Sequence, residues 1–184
     1  VLHGQSDPPL TPTGRRQARA AAEALAALPV AALYASDLRR ARATAALAAR
    51  RLGLEVQCLK ELRERHFGAW EGTAVSELAR REPEALAALW GDAAFAPPGG
   101  ESMDALGVRV LEAVDGLVTR HRGGTVAVFG HGGAHRAVLG RVLGLGPAAL
   151  LRLALDPGHA AVVRCFPDGA ADVAALNLPP AAWG

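Results

Sequence analysis

Short apolar runs alternate with amphipathic, alanine-rich helical patterns along this chain, and that alternation leaves few folds open. The runs are Val30 to Ala35, Leu54 to Leu59 and Thr125 to Gly130, each too short for a helix and bounded by turn residues. Thr11-Pro12 reads as an N-cap followed by proline at the first helical position; apolar spacing continues through Ala18, Ala22 and Leu25 and stops near Pro29. Ser36 and Asp37 read as caps of a second helix, which carries Leu38, Ala41, Ala45 and Leu52 and ends at Gly53. Ser102 caps a long helix with the apolar face Leu106, Val110, Val114, Leu117 and Val118. A helix from about 133 to 144 and strands near 160–166 and 171–176 follow. Strands alternating with helices predict an α/β fold: a three-layer sandwich, its mostly parallel central sheet covered by helices on both faces. Residues 60 to 101 are less regular. Two short helices near 73–81 and 83–91, then the loop Pro97-Pro98-Gly99-Gly100, predict a helical lid inserted at about 70–100 within one domain.

Charge and cysteine content exclude several classes. The formal net charge is only +2, with both signs interspersed, so no basic stripe for nucleic acid is expected. Two cysteines in 184 residues, Cys58 and Cys165, read as buried free thiols rather than a disulfide framework. No run approaches the roughly eighteen apolar residues of a membrane span, and no signal peptide is legible. A soluble, cytoplasmic domain with no membrane partner is expected. The stub Val1-Leu2 before His3 is too short for a strand, so the beginning of the chain is read as lying further upstream.

Two histidines occupy matching places. His3 ends the apolar stub and precedes Gly4; His131 ends the run Thr125 to Gly130 and precedes Gly132-Gly133. Each reads as a strand end turning toward a helix, and ligands of open α/β sheets bind at such ends. The first turn adds Gln5 and Ser6, the second brings Arg40 into the opening of a helix, and the third offers Arg63-Glu64-Arg65-His66. Guanidinium groups and helix N-termini make an anion site, and phosphate is its natural guest. Two imidazoles add chemistry: one attacks phosphorus, the other, kept cationic by the phosphate, steadies the transferred group. Glu64, held neutral, would protonate the leaving oxygen. The bland alternatives are a surface ion-pair cluster for Glu64 and structural roles for lone histidines. His131 and His135 are spaced as a metal pair, but the glutamate of the zinc-protease pattern is missing. His66 reads as pocket wall, His159 as a rim residue, Trp70 and Trp90 as packing under the lid, and Trp183 as tail packing.

These motifs, in this order, resemble the histidine phosphatase superfamily, also called phosphoglycerate-mutase-like. His3-Gly4-Gln5-Ser6 is similar to the signature of the nucleophilic histidine. Ser36-Asp37-Leu38-Arg39-Arg40-Ala41 is similar to the segment whose arginine, here Arg40, holds phosphate. Arg63-Glu64 with Phe67-Gly68-Ala69-Trp70-Glu71-Gly72 resembles the proton-donor region of the phosphatase branch, and Gly130-His131-Gly132-Gly133 carries the second histidine. The resemblance implies a phosphomonoester hydrolase acting on a small phosphorylated metabolite through a phosphohistidine. Its catalytic residues would be His3, Glu64 and His131, with Gly4, Gln5, Ser6, Arg40 and Gly132 binding substrate. No metal or organic cofactor is implied, and the oligomeric state is open, a homodimer included. Mutase-type phosphoryl transfer is the first alternative. One departure stands out: the family has arginine before the nucleophilic histidine, and this chain has Leu2. Losing that arginine would cost about 2–4 kcal/mol of transition-state stabilisation, which makes a weak or inactive phospho-ligand binder the second alternative.

Overall fold

A computed structural model describes residues 1–183. Helix α1 (Pro12–Leu25) leads into strand β1 (Val30–Ser36), helix α2 (Arg39–Leu52) and strand β2 (Val56–Leu59). Helices α3 (Val75–Arg81) and α4 (Pro83–Gly91) form the lid segment, followed by α5 (Met103–Arg120), strand β3 (Thr125–Phe129), α6 (Gly132–Leu143) and α7 (Pro147–Leu150). Strands β4 (Ala160–Cys165) and β5 (Ala171–Leu178) come last. The central sheet is parallel, in the order β2-β1-β3, with Ala35 opposite both Cys58 and Phe129. The chain crosses from β1 to one side, then returns to the other, so strand order reverses at β1. A crevice at the carboxyl ends of β1 and β3 follows from that topology.

Alternation along β1 assigns the two faces. Leu33 packs with Ala22, Leu25 and Ala48 of α1 and α2, whereas Tyr34 packs with Leu62 and Leu117, the latter on α5. Alanines at these contacts let helices approach the sheet closely. Three layers result, as the sequence predicts. A further cluster joins Leu106 and Val110 of α5 to Ala134 and Ala137 of α6. Trp70, Leu78, Leu86 and Leu89 form the apolar centre under the lid, with Trp90 and Phe95 against it. Trp183 packs on the α1–α2 side, its indole N–H donating to the Leu178 carbonyl. Among the described residues no helix is long and apolar enough to cross a membrane.

The structure departs from the sequence reading, or completes it, in four places. The pairing of the last two strands, which the sequence left open, is with each other, antiparallel and outside the parallel sheet. Only the short turn 166–170, closed by the Phe166 N–H on the Ala170 carbonyl, separates them, and strands joined so tightly must run in opposite directions. Second, His3 does not end a strand, because Val1-Leu2 forms none. The Leu2 N–H donates to the Thr73 carbonyl, its carbonyl accepts from Gly72, and its side chain is buried among the lid residues Phe67 and Trp70. Third, Ser36 and Asp37 do not cap α2. Leu38 is the N-cap residue, without a side-chain bond; Asp7, from the first loop, accepts the Arg39 N–H at 2.7 Å, and Asp37 turns to Arg63. Fourth, both cysteines are free but exposed: Cys58 lies on an edge strand and Cys165 on the mostly exposed strand β4 of the hairpin.

Candidate active site

The loop after Leu2 is shaped by one carboxylate. Glu71 accepts the backbone N–H groups of Gly4, Gln5, Ser6 and Phe67, at 2.8–3.1 Å. Gly4 makes this possible: a Cβ there would collide with the Arg65 carbonyl and the Glu71 carboxylate. Burial pushes the Glu71 carboxyl up, but the N–H groups of Gln5, Phe67 and Ser6 outweigh it and hold its pKa below the ordinary value of 4.5. Its stabilising contribution is therefore complete above that ordinary value and is lost as pH falls through the lower folded-state value. Glu71→Gln is expected to flatten the acid limb of a stability–pH curve and to lower neutral-pH stability by about 2 kcal/mol. Denaturant midpoints measured at several pH values check this; an unchanged acid limb would contradict it.

His3 itself is exposed, its Nδ1 3.2 Å from Ser6 Oγ. The Arg40 guanidinium reaches from the first turn of α2 to the carbonyls of Ser6 at 2.9 Å, Gly4 at 2.7 Å and His3 at 3.5 Å. It is half-buried; desolvation lowers its pKa while Glu64, Asp7 and Glu71 oppose that effect, and a guanidinium stays charged at neutral pH. Asp7 and Arg40 together thus clamp the His3 loop onto the N-terminus of α2.

His131 lies where β3 passes into α6, as that helix's extended N-cap residue. It is buried, and its Nε2 has no hydrogen-bond partner among the described residues. Burial first, then the charge of Arg40, pushes its pKa down to about 3. Burial and the surrounding cations outweigh the opposing charge of Asp37, so the imidazole is neutral at pH 7 on the protein's own groups, and a cationic form requires the charge of a bound anion. A buried polar atom without a partner calls for one, and an oxyanion fits because it would raise the imidazole's affinity for a proton. Glu64 faces the same helix. One carboxylate oxygen accepts the Gly133 N–H at 2.9 Å, the other its neighbour Arg65 N–H at 2.8 Å. Gly132 and Gly133 form the first turn of α6, and a Cβ on Gly133 would collide with the Glu64 carboxylate. Gly133→Ala is therefore expected to displace Glu64, lowering kcat by about tenfold or more on alkyl esters while the fold persists; unchanged kinetics would show that the carboxylate's position does not matter.

Around this core stands an arginine scaffold that sequence patterning missed. Arg63 pairs with Asp37 at 2.6 Å and donates to Gln5 Oε1, while the Gln5 amide donates to the Glu64 carbonyl. Arg65 is 4% exposed and donates to the carbonyls of Leu89, Phe95 and Glu101. Arg109 of α5 pairs with Glu101 and also holds the carbonyls of Glu61, Arg63 and Glu64. Arg65 and Arg109 bind backbone carbonyls, and such partners leave no mark in a sequence. The other histidines are structural in their contacts. His121 meets the Tyr34 hydroxyl at 2.8 Å, His159 meets Asn177 on the hairpin, and His66 offers its backbone N–H to Glu101. The His135 ring packs against Gly130, its pKa pushed down to about 4 by burial and Arg136.

Comparison with known proteins agrees with this geometry. The model of the histidine phosphatase superfamily (branch 1) matches residues 1–178. A bifunctional protein of Mycobacterium tuberculosis is 38% identical over 175 residues, 95% of this chain; the chain spans 48% of that relative's length. A metal-independent phosphoserine phosphatase of Arabidopsis thaliana is 35% identical over 182 residues, covering 96% of this chain and 76% of that one. Among solved structures, a mycobacterial glucosyl-3-phosphoglycerate phosphatase in complex with inorganic phosphate superposes with a TM-score of 0.86 at 32% identity, over 97% of this chain and 92% of that one. With the family model matched over nearly its whole length and a solved relative superposing on its fold, this chain belongs to the histidine phosphatase superfamily, branch 1.

Proposed function

We propose that this protein hydrolyses monophosphate esters of small metabolites through a phosphohistidine on His3. The observation that carries the reading is the unpartnered, buried Nε2 of His131 beside the Arg40 charge, with the Glu64 carboxyl anchored across the same helix end. An imidazole nitrogen of His3 attacks phosphorus, and the bond from phosphorus to the ester oxygen breaks. Glu64 delivers a proton to the departing alkoxide, so the alcohol leaves neutral. Water then attacks the phosphohistidine, gives its proton to Glu64, and phosphate departs as the His3 nitrogen regains its lone pair. Arg40 and His131 hold the equatorial oxygens, where negative charge accumulates. Gln5 and Ser6 line the His3 loop, and Gly132 opens the helix end facing the phosphate. The scheme uses no metal or organic cofactor.

Leu2 supports a second reading, a phospho-ligand binder with little or no turnover. The residue ahead of His3 is buried in the lid cluster and offers no charge to a phosphate. Incubation with a labelled monophosphate ester, followed by denaturation, separates the two. Acid-labile, alkali-stable label on His3 together with released inorganic phosphate supports hydrolysis. Tight phosphate binding without label supports the binder, and isomerised phosphoglycerate without release would point to the mutase.

A further inference from the structure

A cavity of about 190 Å³ opens directly beside the Glu64 carboxyl. Leu89 and Trp90 of α4, Met103 at the start of α5, and Leu150 and Leu151 at the end of α7 contribute its apolar lining. Apart from Glu64 and Arg65, its one charged lining residue is Arg136 of α6. Arg65 is committed to three carbonyls. Arg136 donates from Nε to the Leu150 carbonyl and from Nη2 to the Leu153 carbonyl, both at 3.3 Å. Its Nη1 makes no hydrogen bond among the described residues, and it lies 3.0 Å from where a Gly132 Cβ would stand, with Glu64 Oε2 3.9 Å from the same point. A free guanidinium arm and the carboxyl therefore flank one mouth, and an apolar chamber lies behind it.

We propose that this chamber holds the leaving alcohol, and that Arg136 selects alcohols bearing a carboxylate. The proposal rests on the hydrolase reading of the site. Volume comes first: an enclosed cavity of about 150 Å³ accommodates benzene, so this open-mouthed chamber of about 190 Å³ has room for the carbon face of a benzene-sized alcohol. The walls come second. A polyol would leave hydroxyl groups facing leucine and methionine without partners, at a cost of lost water hydrogen bonds, whereas an aryl or short alkyl carbon face gains from burial. Arg136 comes third. Its unspent N–H groups match a carboxylate oxygen, and the cation sits close enough to the reacting end to read a substituent near the ester oxygen. The substrate class is a compact, largely apolar monophosphate ester with one carboxylate; hexose phosphates are disfavoured by the polarity of their leaving alcohol.

The test compares kcat/KM for 3-carboxyphenyl phosphate, phenyl phosphate and glucose 6-phosphate, with His3 labelling followed for each. The first should exceed the second by about tenfold, and the second should exceed the third by at least as much. Arg136→Gln should bring the carboxyphenyl-to-phenyl ratio close to one, and Arg136→Lys should restore part of it. Because Arg136 also ties down α7, a second variant reads the chamber alone: Leu151→Trp, at a position 43% exposed, should penalise naphthyl phosphate more than phenyl phosphate. Labelled His3 with equal use of glucose 6-phosphate, or a carboxylate preference indifferent to Arg136, would overturn the chamber assignment and leave the phosphohistidine chemistry intact. Failure of every ester to label His3 would overturn both.

Discussion

His3→Ala is expected to reduce phosphate release by about 10⁴-fold or more, to the level of the uncatalysed background, with every ester tested. Removing the nucleophile removes the covalent path itself, and the neighbouring groups that act as a unit with it cannot substitute. The fold should survive, because the side chain is exposed and makes one hydrogen bond among the described residues, with Ser6 Oγ. The loop that carries it is held by its backbone: three N–H groups on Glu71 and three carbonyls on Arg40. Circular dichroism and thermal midpoint should therefore match those of the unmodified protein, and phosphate affinity should fall only modestly. An His3→Ala protein that still turns over would remove the phosphohistidine from consideration. Loss of activity accompanied by unfolding would show instead that the ring matters for the loop.

Glu64→Gln is expected to lower kcat by about 10²–10⁴-fold for alkyl esters and by less than about tenfold for p-nitrophenyl phosphate. The glutamine amide preserves the shape, and its carbonyl oxygen can still accept the Gly133 N–H, so the helix end stays in place. It has no proton to give. An alkoxide departs poorly without one, whereas nitrophenolate is stable on its own, so the loss must scale with the basicity of the leaving group. A plot of log kcat against leaving-group pKa should steepen in the variant. Equal losses across the series would mean that Glu64 positions the substrate and that another group supplies the proton.

Much of the architecture was legible because it depends on local periodicity. Short runs of about six residues with strand-like composition become β1, β2 and β3, and the Thr11-Pro12 and Ser102 signals mark the starts of α1 and α5, with Thr11 and Ser102 side chains accepting the Gly14 and Ala105 N–H groups. The two lid helices were legible for the same reason. Caps provided from elsewhere were not. Asp7 terminates α2 across 32 positions, and no window of neighbouring residues contains that information. The two last strands were legible but their antiparallel pairing with each other was not, because strand propensity says nothing about pairing partners. Exposure of the cysteines likewise depends on whether another layer covers their strands.

Residue order and type, then, determine which segments become helices or strands, and they single out His3, Arg40, Glu64 and His131 as candidates for phosphate chemistry before any coordinates. Backbone hydrogen bonding and nearest-neighbour sterics act over a few residues, so a linear string records them. Whether those groups meet, and in what protonation state, depends on long-range contacts. Desolvation leaves His131 neutral, Glu71 gathers the His3 loop, and Arg65 and Arg109 bind carbonyls that any residue could have supplied. Those effects depend on distances through space and on excluded water, quantities that exist only once the chain has closed on itself.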